Sequence, residues 1–329
     1  MTDAQPLTLE ILLKMYRQMV LIRQFEDRLY RLFLQGLVPG TLHQYQGQEA
    51  VAAAVCANLR SDDVVFSTHR PIGHAIAKGV SLEAIAGELW GKVTGCVGGK
   101  GGQMHLADIS AGFMPSNAVV GANIPIAVGA AIGFSIRGSD RVAVSFFGDG
   151  ASNTGAFHEG LNFAAVRQAP VIFVCENNQY AASTHFSLAS KIEDIAIRAD
   201  AYGMPGRVVD GMDVVAVYAS AQEAVWRARA GDGPTLLEYK TFRYMGHSRG
   251  DPGNYRDPEE VKRWRLRDPI ELCRQRLTSE YTVAEETLEK IDLSCQEDVA
   301  VAIQSAQDAP EPSPDEVHQN VYAEQRRGT

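Results

Sequence analysis

The middle of the chain alternates between short apolar runs, rich in β-branched and aromatic residues, and stretches with helical spacing. Strands are predicted at 63–68, 141–147, 171–175, 206–210 and 235–242, and helices at 155–167, 194–202 and 214–230. Such alternation is typical of a parallel sheet with helices on both faces, because each helix returns the chain to the same end of the sheet. The sequence therefore predicts an α/β fold.

Helical additions flank this core on both sides. Apolar residues at mostly helical spacing fill 9–34 after the N-cap residue Thr8, and further helices are predicted at 48–59 and 81–90. The glycine-rich stretch 91–105 is predicted to be a loop. We expect one domain over 1–329. Its predicted parts are a helical N-terminal region (1–60), an α/β core (61–245), and an active-site loop with a helical C-terminal region (246–329), ending in a mobile tail from 318.

Composition excludes several classes of function. The net charge is -9 and no basic patch appears, so nucleic acid is not an expected partner. The uncharged stretch 118–136 contains Asn123 and Pro125 as well as glycines, and is predicted to be a buried helix of small residues, not a membrane span. The N-terminus lacks the pattern of a secretion signal, and the five cysteines form no C-x-x-C pair. A cytoplasmic protein is expected.

Polar residues follow two of the predicted strands. Gly148-Asp149-Gly150 comes directly after 141–147, and Asn177-Asn178 comes after 171–175. The carboxyl ends of parallel strands meet at the edge of the sheet where ligands bind, and glycines before a helix N-terminus suit a phosphate. Carboxylate, amide and carbonyl oxygens suit Mg²⁺ shared with a diphosphate. Each piece alone is better explained as a helix cap or a turn.

Two common phosphate-binding motifs are excluded by single residues. A Walker loop needs Lys and then Ser or Thr after its last glycine, but Ala156 and Phe157 follow Gly155. The nicotinamide-dinucleotide motif G-x-G-x-x-G needs a third glycine where Asn153 stands.

The GDG unit followed by NN resembles the signature of thiamine-diphosphate-dependent enzymes, and further motifs extend the resemblance along most of the chain. These are LHQYQGQEA, STHRPIGHAIAKG, GCVGGKGGQMHLAD, NAVVGANIPIAVGAA, ENNQYA and RYMGHSRGDPGNYR, in the expected order. Together they resemble the α chain of the thiamine-dependent first component of 2-oxo acid dehydrogenase complexes, most closely the bacterial pyruvate and acetoin types.

The resemblance implies a set of site residues around thiamine diphosphate and Mg²⁺. Metal ligands would be Asp149, Asn178 and the backbone oxygen of Tyr180. The diphosphate would be lined by Gly148, Gly150 and Ala151, and Arg70 would bind its terminal phosphate. Ala118 and Val120 would contact the aminopyrimidine, and His247 would lie near the diphosphate and the reacting centre. His247 and His43 would be catalytic, by orienting substrate, stabilising charge or assisting acyl transfer. His69 stands where many relatives have tyrosine, and it receives no predicted role.

The resemblance also implies the reaction and the partners. The enzyme would cleave or decarboxylate a 2-oxo acid or acyloin, with pyruvate or acetoin first, and pass the acyl group to a lipoyl-bearing acyltransferase. A separate β chain would supply the glutamate that activates the aminopyrimidine, in a heterotetramer of two α and two β chains, so this chain alone would be inactive. The alternatives are an α subunit for branched-chain oxo acids or another thiamine-dependent synthase, a non-catalytic scaffold, and a nicotinamide-dependent dehydrogenase.

Overall fold

The computed structural model describes residues 6–319, so most of the predicted tail at 318–329 lies outside the described residues. Within this part, the strands are β1 (Val64–Phe66), β2 (Ala143–Gly148), β3 (Val171–Asn177), β4 (Tyr180–Ala181), β5 (Thr184–His185), β6 (Gly206–Asp210) and β7 (Thr235–Lys240). Five of them form one sheet in the order β1-β2-β3-β7-β6, and every pair in it is parallel. The predicted α/β fold is confirmed.

The helices also follow the predicted order. They are α1 (Leu9–Leu34), α2 (Glu49–Ala57), α3 (Ile72–Lys78), α4 (Leu82–Leu89), α5 (Asn123–Ile136), α6 (Gly155–Arg167), α7 (Phe186–Ala189), α8 (Val214–Ala230), α9 (Pro258–Arg265), α10 (Pro269–Ser279) and α11 (Glu285–Asp308). Helix α3 and the β4–β5 hairpin were not predicted, because both are too short to show a period. The helix predicted at 194–202 is a 3-10 helix, Ile195–Tyr202.

Strands β1, β2, β3 and β7 are buried on both faces, and their alternate residues enter different cores, whereas the edge strand β6 is mostly exposed. In β2, Val144 and Phe146 pack in the core that includes α1, α2 and α8, whereas Ala143 and Phe147 pack in the core that includes α5 and α6. Side chains of a strand point alternately to opposite faces, so a strand covered on both sides must be apolar at every position. This explains why β2 and β3 read as continuous apolar runs.

The two ends of the chain pack together outside the sheet. Helix α1 begins after Thr8, whose hydroxyl accepts the Ile11 N–H at 3.3 Å, as the N-cap prediction requires. α1 lies against α2, α10 and α11, and α11 also packs on α4. Tyr16 of α1 donates a hydrogen bond to Asp292 of α11 at 2.9 Å. The predicted helical additions therefore share a core with the sheet.

Helix α5 differs from its prediction as a fully buried helix. It begins at Asn123, not at 118, and only one face is buried, through residues such as Ile124 and Val128. The other face is exposed, with Ile126 and Ile136 among its large apolar side chains. Across residues 6–319, no helix combines the length and the apolar character needed to span a bilayer.

Candidate functional site

A cavity of about 380 Å³ opens beyond the carboxyl ends of β2 and β3. These strands are neighbours, with Gly148 opposite Glu176, so the segments that follow them lie side by side. The predicted site residues that line the cavity are Arg70, Val120, Gly148, Asp149, Gly150, Ala151, Asn178, Tyr180 and His247. The structure thus brings together residues from five separate segments of the chain.

Asp149 is a buried carboxylate with an unused oxygen. It starts a 3-10 turn between β2 and α6, and the N-cap of α6 is Thr154, so Asp149 is not the cap of that helix. The side chain is 1% exposed, and Oδ2 has no hydrogen-bond partner within the described part of the chain. Burial raises the pKa of Asp149 to about 6. A buried carboxylate oxygen without a hydrogen bond is costly unless a cation binds it.

The segment after β3 presents amide and carbonyl oxygens to the same cavity. Asn178 Oδ1 accepts the Tyr180 N–H at 3.3 Å, and its Nδ2 donates to Gln48 Oε1 at 3.0 Å. The turn expected for this dipeptide is therefore present, but Asn177 still belongs to β3, where its side chain donates to Glu238 at 2.7 Å. The carbonyl oxygen of Tyr180 accepts a long hydrogen bond from Arg243, at 3.4 Å.

Two arginines line the cavity without a carboxylate partner. Arg70 and Arg243 are both nearly fully buried. Among the described residues, Arg70 donates to the carbonyls of Gln44 and His247, at 2.9 and 2.6 Å, and Arg243 donates to carbonyls and to the Tyr255 hydroxyl. Burial, and then repulsion by Arg243, lowers the pKa of Arg70 to about 9, and burial likewise lowers the pKa of Arg243. Two buried cations that form no ion pair among the described residues favour an anionic ligand.

Three histidines form a cluster beside Arg70. The ring centroids of His43 lie 5.0 Å from His69 and 5.1 Å from His247, and the last two are 5.5 Å apart. His69 and His247 line the cavity, whereas His43 packs behind them. Burial, followed by the charge of Arg70, lowers the pKa of His43 and His247 to about 4 and that of His69 to about 2. At neutral pH these rings are uncharged and can exchange hydrogen bonds with a ligand.

The loop that carries His247 is held by its own acidic residue. Asp251 accepts the N–H of His247 at 2.6 Å and the N–H of Gly253 at 2.8 Å, and the Tyr255 hydroxyl donates to it at 2.7 Å. On the other side of the ring, Arg70 lies 3.2 Å from His247 Nδ1. The imidazole is therefore fixed at the edge of the cavity.

The glycines of the GDG unit are required for different reasons. A Cβ on Gly150 would lie 2.6 Å from the Cβ of Ala181, so close packing excludes a side chain there. A Cβ on Gly148 would have no protein atom nearer than 4.0 Å, and its φ of -90° is accessible to any residue. Protein packing therefore does not exclude a side chain at Gly148, and the open space beside it belongs to the cavity.

Ala118 is the predicted contact that the structure does not place at the cavity. It is half-buried, and the cavity is lined instead by its neighbours Asn117, Val119 and Val120.

Comparison with known proteins gives the family. The model of the dehydrogenase E1 component matches residues 17–315, which is most of the chain. The chain belongs to the dehydrogenase E1 component family.

Curated relatives of this E1 family protein align over nearly its whole length. The α subunit of acetoin:2,6-dichlorophenolindophenol oxidoreductase from Bacillus subtilis is 45% identical, over 98% of this chain and 96% of that protein. The subunit of the same name from Cupriavidus necator is 44% identical, over 97% and 96%. The pyruvate dehydrogenase E1 component subunit α of Rhizobium meliloti is 41% identical, over 94% and 89%.

Membership of the E1 family implies thiamine diphosphate, and the cavity fits such a group. Arg70 and Arg243 supply buried positive charge for a diphosphate, and Gly148 leaves room for it. The unpaired oxygen of Asp149 suits a cation bound between protein and diphosphate. In the described part of the chain no group of three His, Cys, Asp or Glu side chains could hold a metal. An ion here would therefore need amide, carbonyl and ligand oxygens.

Two residues of the site were missed by sequence reasoning. Arg243 opens the motif RYMGHSRGDPGNYR, and its position there was the available signal. His69 stands next to Arg70 and received no predicted role. Its Nε2 is buried without a hydrogen-bond partner among the described residues. Both side chains line the cavity.

Proposed function

We propose that this chain is the α subunit of a thiamine-diphosphate-dependent dehydrogenase that acts on acetoin or pyruvate. The observation that supports this proposal most directly is the Asp149 carboxylate, one oxygen of which has no hydrogen-bond partner among the described residues. It lies in one cavity with the buried cations Arg70 and Arg243. Full-length similarity to acetoin and pyruvate enzymes supports the substrate class, and the two acetoin enzymes are the more similar. Branched-chain oxo acids and other synthase chemistry are the alternatives.

Asp149, Asn178 and the Tyr180 carbonyl would bind Mg²⁺ together with the diphosphate. Arg243 already donates to the Tyr180 carbonyl at 3.4 Å, so this oxygen would share its lone pairs between the ion and the guanidinium. Arg70 and Arg243 would bind diphosphate oxygens, and the backbone of Gly148, Gly150 and Ala151 would border them. The aminopyrimidine would meet the segment 117–120.

The bound cofactor supplies the nucleophilic carbon and the electron sink for cleaving the bond next to the substrate carbonyl. The protein contributes position and hydrogen bonding. Because the pKa values of His247 and His43 are lowered to about 4, these rings act at neutral pH as uncharged donors and acceptors. His247 would contact the reacting groups, since it lines the cavity. The ring of His43 packs against the ring of His247. A direct role for His43 would require its ring to reach past that of His247.

A β chain would complete the site, as the term α subunit in the names of the relatives implies. Exposed apolar side chains lie next to the cavity and on the adjoining helices α5 and α6, namely Val119, Val120, Ile126, Phe163 and Val166. Exposed apolar groups gathered in this way are typical of a surface that another protein covers. We propose that this surface binds the β chain in an assembly of two α and two β chains, with the activating glutamate coming from β.

The acyl acceptor would be the lipoyl group of a partner acyltransferase. A non-catalytic scaffold is disfavoured, because burying Asp149, Arg70 and Arg243 without ligands lowers stability and nothing in a scaffold would require it. The cytoplasmic location stays a prediction from the cysteines and the N-terminus.

The test is co-expression with a β chain of the same family, followed by dye reduction with acetoin, pyruvate and branched-chain 2-oxo acids. We expect reduction to need both chains, thiamine diphosphate and Mg²⁺, and to be fastest with acetoin or pyruvate. Activity of this chain alone, or equal activity after removal of the cofactor and Mg²⁺, would contradict the proposal.

A further inference from the structure

The loop that carries His247 also contacts helix α1, through the residue two positions further on. The guanidinium carbon of Arg249 lies 3.3 Å from the centroid of the Tyr30 ring and 5.6 Å from that of Phe33. Tyr30 and Phe33 are three residues apart in α1, so they share one face of the helix. The Arg249 N–H donates to the Leu42 carbonyl at 2.8 Å. Both the backbone and the side chain of Arg249 thus hold the loop against the N-terminal region.

The aromatic rings are the charge partner of Arg249 in the described structure. Its Nε is buried without a hydrogen bond there, and the side chain is half-buried. A planar guanidinium can lie flat on a ring and be attracted by the negative face, whereas the compact ammonium of lysine cannot stack in this way. Partial burial strengthens the attraction, since water then screens it less.

The other contacts of the loop lie within it, at its far end, or at His247 itself, whose carbonyl accepts from Arg70 at 2.6 Å. Asp251 bonds to residues 247, 253 and 255 of the same loop, and Arg256 donates to the carbonyls of Arg243 and Tyr244 at 2.5 and 3.2 Å. These bonds fix the turn but do not connect the segment beside His247 with α1. The contact between Arg249 and Tyr30 does so.

We propose that Arg249 and Tyr30 form a cation–π clamp that positions His247 at the cofactor cavity. Both are positioning residues, because neither lines the cavity. Helix α1 belongs to the main core, whereas the His247 ring is carried by a loop. Through the clamp, α1 determines the position of that ring. The inference rests on the proposed function only in the role of His247, and its structural part is testable without activity.

The first experiment is limited proteolysis of the assembled complex with trypsin, comparing wild type, Tyr30→Leu and Tyr30→Phe. Cleavage after Arg249 needs this side chain to leave the clamp. Leucine removes the ring face, so cleavage there should become about tenfold faster, as expected for losing a partly buried cation–π contact. Phenylalanine keeps the ring, so the Tyr30→Phe protein should be cleaved after Arg249 at the wild-type rate. Equal cleavage rates after Arg249 in all three proteins would overturn the proposal. It would also be overturned if Tyr30→Leu accelerated cleavage at trypsin sites outside the loop as much as cleavage after Arg249.

The second experiment measures dye reduction by the same complexes with saturating cofactor. Tyr30→Leu should lower kcat about tenfold, with Tyr30→Phe unchanged. In a His247→Asn background, Tyr30→Leu should cause no further loss, because the group that the clamp positions is gone. A tenfold loss in both backgrounds would refute the positioning role. If the wild-type complex reduces no dye with any substrate, the proposed function fails, and the proteolysis result still decides whether the clamp exists.

Discussion

Replacing Asp149 by asparagine should stabilise the protein without its cofactor and abolish the stabilisation that the cofactor gives. The substitution keeps the size of the side chain but removes a charge that is buried with one oxygen unpaired. The same charge is what a bound Mg²⁺ would neutralise. The two effects therefore have opposite signs and one physical origin.

The size of the first effect follows from the proton affinity of the carboxylate. Burial raises the pKa of Asp149 to about 6, compared with about 4 in an unfolded chain. At about 1.4 kcal/mol for each tenfold change in proton affinity, the charge lowers the free energy of unfolding by about 3 kcal/mol at neutral pH. Because the folded pKa is the higher one, this destabilisation is absent below about pH 4, grows between about pH 4 and 6, and is complete above that.

Calorimetry on the complex with its β chain measures both effects. Without cofactor, Asp149→Asn should raise Tm by about 4 °C at pH 7.5, for a chain of this length, and by nothing at pH 4. Thiamine diphosphate with Mg²⁺ at about a hundred times its dissociation constant should stabilise the wild type by about 2.7 kcal/mol and the variant not at all. A variant that is less stable than wild type without cofactor, or that gains as much from the cofactor, would refute the reasoning.

Three further substitutions separate the roles of the neighbouring groups. Gly148→Ala should leave the Tm without cofactor unchanged, since the added methyl group meets only the cavity. The same variant should weaken cofactor binding at least about tenfold, as measured by titration calorimetry. Gly150→Ala should instead lower the Tm, because its Cβ would lie 2.6 Å from that of Ala181. Arg243→Met should weaken binding of inorganic diphosphate about tenfold, because it removes a buried cation that lines the cavity; unchanged diphosphate affinity would assign Arg243 to structure alone. His247→Asn should lower kcat on the order of a hundredfold in dye reduction with little change in Tm, and full activity would remove His247 from the reaction.

Much of the fold could be predicted because its signals are local. An apolar run such as 171–175, which is short, rich in β-branched and aromatic residues and preceded by Pro170, indicates a buried strand, and the spacing in 9–34 predicts one helix. The polar residues after β2 and β3 were predicted to converge from the general rule that parallel strands end at one edge, and they do. The structure leaves one face of α5 exposed, and a helix of small residues looks the same in sequence whether one side or both are covered.

The electrostatics of the site were beyond the reach of the sequence. Nothing near Arg243 indicates that it repels Arg70, because 172 residues separate them in the chain and only packing brings them to one cavity. The same holds for His43, His69 and His247, which reach the cluster from three different segments. Local spacing determined the strands, the helices and the oxygen atoms offered at the sheet edge. Which charges are buried together, and therefore which pKa values are displaced, was decided by the tertiary structure, because desolvation depends on every segment that excludes water from the site.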